Sequence, residues 1–556
     1  MRFRPAAQAP QRVGRVGGRA EAVGAVLLAS ALTVLLTYPL AFKLGHVGRI
    51  ELGDGQWSIW VISWVARTIV ADPRHLFDAN IFYPHQNTLA FSESNLGGGL
   101  IGVPIYWLTR NPYATHNFVV LTGFVLSAVG MYYLCRRLTG DRGAAAVAAI
   151  TFSFSPFTFG RTAHIQLLLT AGLPFCMLAF HRLLDHPTPA RGIVLALAGV
   201  VTAITCGYYG VFAALMVGLA VLFFTLSRGM WRNPRFWTAI ATTGVVALAL
   251  GFLFYLPYLK LRNESGFART LTDAQRYSAD WRAYFASNAR AHRWILPVLK
   301  HWNEVLFPGF VATTLGIAGA GLALTRRPAF PRDTIGFYAL LGGLAVWASF
   351  GPSAGLYTLF YRTIPIFSFL RAPSRFGAVV VLSLSVLTAF AVAWLVGRRR
   401  NWIAAAIAVL AVAELAAIPI RWREALPVPS VYRTLAVLPR GPVVELPFWY
   451  LRVYWFRHSM YMLNSTYHWQ PLVNGYSDYI PKDFQDTVIV VSSFPARDSF
   501  KALEPAAPRY VVFHMDMYDQ NYRQRVEDRI EEFSQYLRPL ARDGDVWLYE
   551  IVGWPP

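Results

Sequence analysis

The sequence predicts an all-α polytopic membrane domain of about eleven transmembrane helices, with additional interfacial or re-entrant helices and a small C-terminal α/β domain outside the membrane. Three observations support this fold class: 55% of the 556 residues are hydrophobic, the mean hydropathy is +0.38, and the few charged residues, 15%, cluster between long apolar runs. Soluble domains usually carry more charged residues and shorter apolar runs. We therefore expect an integral membrane protein.

The net charge of +21 does not indicate nucleic-acid binding. Lys and Arg collect mainly in short connections between apolar runs, where they act as topology signals. No separate basic module with interleaved aromatic residues is present in the sequence, and such a module is what nucleic-acid recognition usually requires. The expected surroundings are a lipid bilayer, with no nucleic-acid partner.

Ten apolar runs predict the spanning helices, since a helix needs about 20 apolar residues to cross a bilayer. One run is 36 residues long and is interrupted by "CGYYG", so it predicts two helices and brings the total to eleven. Another run carries a single acid, Glu414, and still predicts a span. The runs are 22–42, 112–134, 143–160, 165–180, 192–227, 236–259, 305–325, 334–361, 376–397 and 401–420.

The segment "NLGGGLIGVPIYWL" at 95–108 is apolar but short, and its three glycines and Pro104 weaken it as a helix. If it does not cross fully, basic connections such as 136–142, 228–235 and 398–400 lie on the same side as the basic N-terminus. If it crosses, these connections lie on the opposite side. The positive-inside rule favours the first arrangement, so we predict a re-entrant or interfacial element.

This topology predicts the domain organisation. Residues 1–21 form a basic cytoplasmic arm, and 22–420 form the multi-spanning domain, in which 43–111 is a large first extracytoplasmic loop. Residues 421–556 form an extracytoplasmic α/β domain, because strand-like runs such as "GPVVELPFW" and "DVWLYEIV" replace the long apolar segments. The predicted location is the cytoplasmic membrane of a bacterium, with the N-terminus in the cytoplasm.

Two acids of the first loop are candidate catalytic residues. Asp54 stands in "LGDGQW" before a Trp-rich segment. It fits an ordinary helix start, and it equally fits a general base beside a lipid-borne substrate. The helical spacing of Trp57, Trp60 and Trp64 suits a helix lying in the membrane interface. Glu93 ends the same loop, where an ionisable group beside hydrocarbon is costly and therefore points to function.

The turn "GRTAHIQ" at 160–166 faces the same side in this topology. It brings Arg161, His164 and Gln166 together between two apolar runs, so we expect them at the mouth that holds Asp54. His164 could accept a proton, ligate a metal or hydrogen-bond a sugar, and the sequence does not choose between these roles.

Arginines also lie in a loop on the predicted extracytoplasmic side, where the positive-inside rule disfavours basic residues. "YRTIPIFSFLRAPSRFG" contains Arg362, Arg371 and Arg375, and the last two are four residues apart, so they would share one face at a helix start. Guanidinium groups hold phosphate well. The alternative interpretation is anchoring to lipid headgroups.

Motifs for other chemistries are missing from the sequence. There is no Walker loop, dinucleotide fingerprint, His-Glu-x-x-His or Gly-x-Ser-x-Gly pattern. Cytosolic ATP or nucleotide-sugar chemistry therefore has no support.

Taken together, "GDGQWSIW", "FYPHQNTLAFSESNLGG", "GRTAHIQ" and "LRAPSRFG" resemble polytopic glycosyltransferases of the C superfamily, which include aminoarabinose transferase and protein mannosyltransferases. The tail phrases "VVELPF" and "PLVNGYSDYIP" resemble bacterial membrane proteins of the same group. The resemblance covers the architecture of residues 20–400. It implies an enzyme, a hexosyl- or pentosyltransferase that moves a sugar from a polyprenyl-phosphate donor to a lipid, glycan or protein acceptor of the cell envelope.

The resemblance also implies roles for the candidate residues. Asp54 would be the general base of an inverting reaction, and Glu93 would match the second acid of the loop. The arginine segment would hold the donor phosphate. His164 stands where some members of the superfamily have an Asp-x-Asp pattern. Because that pattern is missing here, we assign no cofactor and no metal ligands, and a dependence on a divalent metal is not carried over.

Two other classes of function stay open at this stage. One is a flippase or transporter of lipid-linked sugars, which charged residues inside spans would favour, although Glu414 is the one clear case. The other is a non-catalytic scaffold whose outer domain binds envelope polymers. In that case the loop acids would be dispensable.

Overall fold

The computed structural model describes residues 18–266, 268–325, 329–397, 401–420 and 422–556, and most of them are helical. Residues 1–17 of the predicted basic arm lie outside the described residues. The predicted topology signal at 398–400 and part of the basic connection at 326–332 also lie outside them.

The membrane-type part of the described chain consists of helices joined by short turns and a few longer loops. Up to residue 266 these helices are α1 (Arg19–Leu36), α2 (Asp54–Ala71), α3 (Leu96–Thr109), α4 (Pro112–Thr139), α5 (Arg142–Ser153), α6 (Pro156–Phe159), α7 (Ile165–Leu168), α8 (Gly172–Asp185), α9 (Pro189–Thr205), α10 (Gly207–Ser227) and α11 (Pro234–Ser265). They continue as α12 (Leu271–Arg276), α13 (Leu296–Leu299), α14 (Phe310–Gly321), α15 (Arg332–Ser349), α16 (Leu356–Thr363), α17 (Gly377–Val396) and α18 (Asn401–Leu415).

Each predicted apolar run contains at least one of these helices. Six helical segments within the described residues are long and apolar enough to cross a membrane: Arg19–Leu36, Pro112–Thr139, Ile165–Asp185, Gly207–Ser227, Pro234–Ser265 and Pro373–Val396. The run 192–227 divides into α9 and α10 at Cys206, whose extended backbone separates them, as predicted. The run 334–361 also divides, which was not predicted. There α15 ends at Ser349, because Gly351 takes a positive φ of 74° and Pro352 follows.

The tail contains a small mixed sheet flanked by helices, which confirms the predicted α/β composition. Its helices are α19 (Ser430–Val437), α20 (His458–Ser465), α21 (Lys482–Val491), α22 (Arg497–Leu503) and α23 (Gln520–Glu532). Strand β1 (Val47–Gly48) lies in the first loop. The strands of the tail are β2 (Arg423–Glu424), β3 (Val443–Leu446), β4 (Tyr510–His514), β5 (Leu537–Asp543) and β6 (Val546–Ile551). The four-stranded sheet has the order β3-β4-β6-β5, with β3 and β4 parallel and the other pairs antiparallel.

The tail packs directly on the first loop. Strand β1 of that loop pairs with β2 at the start of the tail. The backbone N–H of Phe82 donates to the carbonyl of Asn474 at 3.1 Å, and the ring of Phe82 meets Phe484 edge-on at 5.2 Å. One continuous apolar core includes α2, the rest of the first loop and the sheet of the tail. The first loop is therefore enclosed between membrane-type helices and the tail.

The tryptophans of α2 lie in this core. Trp57, Trp60 and Trp64 are only 6%, 1% and 5% exposed. The indole of Trp60 donates to Asn80, and that of Trp64 donates to the carbonyl of Leu76. The three indole rings are therefore packing residues of this core, and the interfacial position of α2 stays a prediction.

The acid in the last apolar run has a structural role. Glu414 accepts from the backbone N–H groups of Phe310 and Val311 at the start of α14, and His292 lies 2.9 Å from its carboxylate. A carboxylate at the N-terminus of a helix is satisfied by free N–H groups and by the helix dipole. This burial therefore does not require a transport function.

The three consecutive glycines of the 95–108 segment allow close helix packing. A Cβ on Gly97 would lie 1.9 Å from the hydroxyl of Thr205 in α9, and a Cβ on Gly99 would lie 2.2 Å from Val65 in α2. The segment forms α3 with 14 residues, which is about 21 Å of helix and shorter than the hydrocarbon core of a bilayer. The glycines do not prevent helix formation. They lie where α2 and α9 pack so closely on α3 that a larger side chain would not fit.

We predict that Gly99→Ala destabilises the protein by about 1–3 kcal/mol, because the added methyl group forces α2 and α3 apart. The measurement is thermal unfolding of the purified protein in detergent. Gly218→Ala in α10 is the matched control, since a Cβ there meets nothing within 4 Å. Equal unfolding temperatures for the two variants would contradict the packing argument.

Candidate active site

One cavity of about 230 Å³ gathers most of the predicted site residues. It lies between the first loop, the turn before α7, the start of α10, the end of α11, the arginine segment and the tail. Six of the eight predicted residues line it: Asp54, Glu93, His164, Gln166, Arg371 and Arg375.

Asp54 is the first residue of α2, one position after the residue that caps the helix. That cap is Gly53, whose φ of 88° suits glycine, and its N–H donates to the hydroxyl of Ser459 at 2.8 Å. Asp54 therefore begins the helix without capping it. Its carboxylate is 53% exposed and lines the cavity.

His164 is the partner of Asp54. Its Nε2 lies 2.9 Å from the Asp54 carboxylate, which is a hydrogen-bond distance. The other ring nitrogen, Nδ1, is buried and has no hydrogen-bond partner among the described residues. His164 caps the short helix α7 with its backbone, so the turn fixes the ring beside the start of α2.

The environment keeps Asp54 ionised. Burial raises the pKa of Asp54, but the hydrogen bond and charge of His164 and the positive charges of Arg371 and Arg375 outweigh burial and lower the pKa below its ordinary value. Asp54 is thus a carboxylate throughout the neutral pH range, ready to accept a hydrogen bond or a proton.

Glu93 lies in the opposite situation. Burial and the negative charge of Asp478 raise the pKa of its carboxyl group, although Arg375, the thiol of Cys206 and the N–H of Tyr208 act against this. Its Oε2 atom is buried without a hydrogen-bond partner in the described residues. The two acids of the first loop therefore differ in their readiness to hold a proton.

Arg371 and Arg375 reach the cavity from a segment that is irregular up to Ala372 and forms a short 3₁₀ turn over Pro373–Phe376. The expectation that they share one face of a helix start is not met, because Arg371 precedes the turn and Arg375 lies within it. Arg371 contacts Asp478 at 3.0 Å, and its backbone N–H donates to the hydroxyl of Tyr208. The guanidinium of Arg375 lies over the ring of Tyr208 at 3.9 Å.

Two predicted binding residues do not line this cavity. Arg161 forms an ion pair with Glu304 at 2.6 Å and packs over Phe157, so it points away from His164. Arg362 is exposed at the end of α16. Gln166 does line the cavity, and its Oε1 is buried and unpaired among the described residues.

Other polar residues of the cavity were missed from the sequence. Arg262 lies in the last turn of α11, Arg269 follows that helix, and Tyr476 and Asp478 come from the tail. Tyr476 and Asp478 lie in the segment "PLVNGYSDYIP", whose resemblance to related proteins could have indicated a functional role. No sequence argument predicted that the tail contacts the first loop.

Part of the cavity lining is apolar. Leu259 near the end of α11 and Ile366 and Phe369 before the arginines contribute to it, and Leu259 and Ile366 are 39% and 41% exposed. Acids and arginines form another part of the lining. An amphiphile with an anionic group and a hydrocarbon chain matches this division.

In the described part of the chain, no group of three or more His, Cys, Asp or Glu side chains has the spacing of a metal site.

The fold is similar to that of two transferases of known structure. The chain is similar to the mycobacterial arabinofuranosyltransferase AftD, with 15% identity and a TM-score of 0.59 over 97% of this chain and 40% of AftD. It is also similar to the oligosaccharyltransferase of Archaeoglobus fulgidus, with 14% identity and a TM-score of 0.50 over 93% of this chain and 73% of that enzyme. The chain thus spans about two fifths of the length of AftD.

A match between the sequence and a family model identifies the family of this chain. Residues 99–424, more than half of the chain, match the family described as "6-pyruvoyl-tetrahydropterin synthase related domain; membrane protein", and the chain belongs to this family. No curated protein matches the sequence. The family match establishes a membrane protein, and the structural likeness establishes the fold.

We predict that an apolar carbodiimide at near-neutral pH modifies Glu93 faster than Asp54, because such reagents attack the protonated carboxyl group. Since the pKa of Glu93 is raised and that of Asp54 is lowered, labelling of Glu93 should fall as the pH rises. Peptide mass spectrometry would locate the label, with exposed Glu264 as the internal reference. Faster labelling of Asp54 would contradict the assignment.

Proposed function

We propose that this protein is a membrane glycosyltransferase that moves a sugar from a polyprenyl-phosphate donor to an acceptor hydroxyl or amine of the cell envelope. The observation that carries the proposal is that the Asp54–His164 pair, Arg371 and Arg375 line one cavity whose lining also includes apolar side chains. A base, an anion-binding group and a place for a hydrocarbon chain are the parts that this reaction needs.

In the proposed reaction, the acceptor oxygen or nitrogen forms a bond to the anomeric carbon while the bond from that carbon to the phosphate oxygen breaks. The acceptor proton moves to Asp54, and the electron pair of the broken bond leaves with polyprenyl phosphate. The displacement inverts the anomeric centre. Arg371 and Arg375 stabilise the negative charge that develops on the leaving phosphate.

His164 and Glu93 have supporting roles in this proposal. His164 orients the Asp54 carboxylate through the 2.9 Å contact. The raised pKa of Glu93 lets its carboxyl group donate a hydrogen bond to the sugar or the phosphate. Gln166 would bind a sugar hydroxyl through its unpaired carbonyl oxygen.

We further propose the orientation in the membrane. The eleven predicted spanning helices would cross the cytoplasmic membrane of a bacterium, with the basic arm in the cytoplasm and the tail outside. The cavity would then open at the outer face, where polyprenyl-linked sugars meet envelope acceptors. The short connections carry their positive charges on the other side in this arrangement.

The first test of the proposal is Asp54→Asn. General bases contribute about 10²- to 10⁴-fold to rate, so we expect transfer to fall by about that factor while the protein still accumulates in the membrane. The measurement compares the lipid-linked sugars and envelope glycans of a deletion strain that carries either the wild-type or the variant protein.

Asp72→Asn is the matched control. Asp72 ends the same helix and also pairs with a histidine, His75, at 2.9 Å, but both side chains are exposed and outside the cavity. This variant should restore the wild-type glycan pattern. Full restoration by Asp54→Asn would exclude Asp54 as the base.

The pH dependence gives a second test. Asp54 acts as a base only when ionised, and its pKa is lowered because His164 and the arginines outweigh burial. Its ionised fraction is therefore complete at neutral pH and is lost only as the pH falls through the lowered pKa. His164→Phe removes the largest lowering contribution, so the acid limb of the transfer rate should move to higher pH. An unchanged limb would show that His164 does not control Asp54.

A further inference from the structure

The tail segment Tyr476–Asp478 is part of the cavity wall, although it lies far along the chain from the other lining residues. The backbone N–H of Tyr479 donates to the carbonyl of Phe91 at 2.9 Å, and the hydroxyl of Ser92 donates to the Asp478 carboxylate at 3.3 Å. The tail is therefore attached to the first loop next to Glu93.

Asp478 joins two arginines through one oxygen atom. Its Oδ1 lies 3.0 Å from Nη2 of Arg371 and 3.2 Å from Nη2 of Arg269. A guanidinium has five N–H groups, and each of these contacts uses one nitrogen. Both arginines line the cavity, so Asp478 fixes the two guanidinium groups relative to each other.

The charge balance of the cavity shows why a carboxylate is needed there. Four arginines line the cavity: Arg262, Arg269, Arg371 and Arg375. The carboxyl groups are Asp54, which belongs to the His164 pair, Glu93, whose pKa is raised, and Asp478. Arg375 forms no ion pair with another described residue and stacks on Tyr208. Without Asp478, the arginines would repel one another in a partly desolvated space.

We propose that Asp478 is a positioning residue for the phosphate of the lipid donor. It holds Arg371 and Arg269 side by side and directs the guanidinium of Arg371 toward the position that the phosphate takes, beside Arg375. This inference rests on the proposed function. It assigns to the tail a direct part in recognising the anionic lipid.

The backbone contacts separate this role from a purely structural one. The hydrogen bond between Tyr479 and Phe91 and the pairing of Tyr83 with Leu472 attach the tail to the first loop through backbone atoms alone. Loss of the Asp478 charge leaves those contacts in place. The effect of a substitution should therefore appear in phosphate binding, with little change in unfolding temperature.

The experiment measures binding of a C55 polyprenyl phosphate to the purified full-length protein in detergent, with the C55 polyprenyl alcohol as the control ligand. We expect the wild-type protein to prefer the phosphate. Asp478→Asn should weaken phosphate binding by on the order of tenfold, because coupled charge pairs contribute in this range, and should leave alcohol binding unchanged. Asp478→Glu, which keeps the charge, should recover most of the affinity.

Two controls make the result specific. Asp483→Asn lies in the same tail, and Asp483 pairs with His85 on the surface, so this variant should bind as the wild type does. In an Arg371→Gln background, Asp478→Asn should have a smaller effect, since one of the two positioned arginines is already lost.

The outcomes separate this inference from the proposed function. If the wild type prefers the phosphate and Asp478→Asn binds it equally well, the positioning role is refuted and the donor class stands. If Asp478→Asn weakens both ligands alike, the role is structural and the inference is refuted. If the wild type does not distinguish the phosphate from the alcohol, the proposed donor itself is wrong. Asp54→Asn should bind the phosphate normally while it fails to transfer.

Discussion

The site depends on the enclosure of the first loop between the membrane-type helices and the tail. Backbone hydrogen bonds from Phe82 to Asn474 and from Tyr479 to Phe91 fix the loop against the tail. Within the loop, the glycines of α3 allow close packing on α2, and they also allow it on α9 outside the loop. The first loop carries Asp54 at one end and Glu93 at the other. Without this enclosure the two acids would lie on an exposed and extended segment, and neither would have the environment that sets its pKa.

Enclosure also sets the electrostatics of the cavity. Charged groups in a partly buried space interact more strongly than in water, and each must find a partner or change its protonation state. Asp54 pairs with His164, and Arg371 pairs with Asp478. At Glu93 burial outweighs the attraction of Arg375, so the pKa of its carboxyl group is raised, while the guanidinium of Arg375 lies over an aromatic ring. The cavity therefore holds arginines beyond those paired with carboxylates, which suits an anionic ligand.

Topology explains which parts of the site could be predicted from the sequence. Apolar runs and basic connections placed Asp54, Glu93 and His164 on one side, and the shortness of the 160–166 turn brought His164 toward the first loop. The same argument could not separate His164 from Arg161, because side-chain direction within a turn depends on neighbours such as Glu304. Asp478 was missed because its approach to Arg371 depends on tertiary packing of the tail, which leaves no periodic signal in the sequence.

The lowered pKa of Asp54 has a consequence for the proposed chemistry. A weakly basic carboxylate does not remove a proton from an acceptor hydroxyl before the new bond forms, because the hydroxyl is far less acidic. It accepts the proton only as the acceptor oxygen gains positive charge by bonding to the anomeric carbon. In the proposed reaction the phosphate would then depart as the proton moves, so stabilisation of that leaving group would contribute to the rate together with the base. The arginines held by Asp478 would thus matter as much for the rate as the base itself.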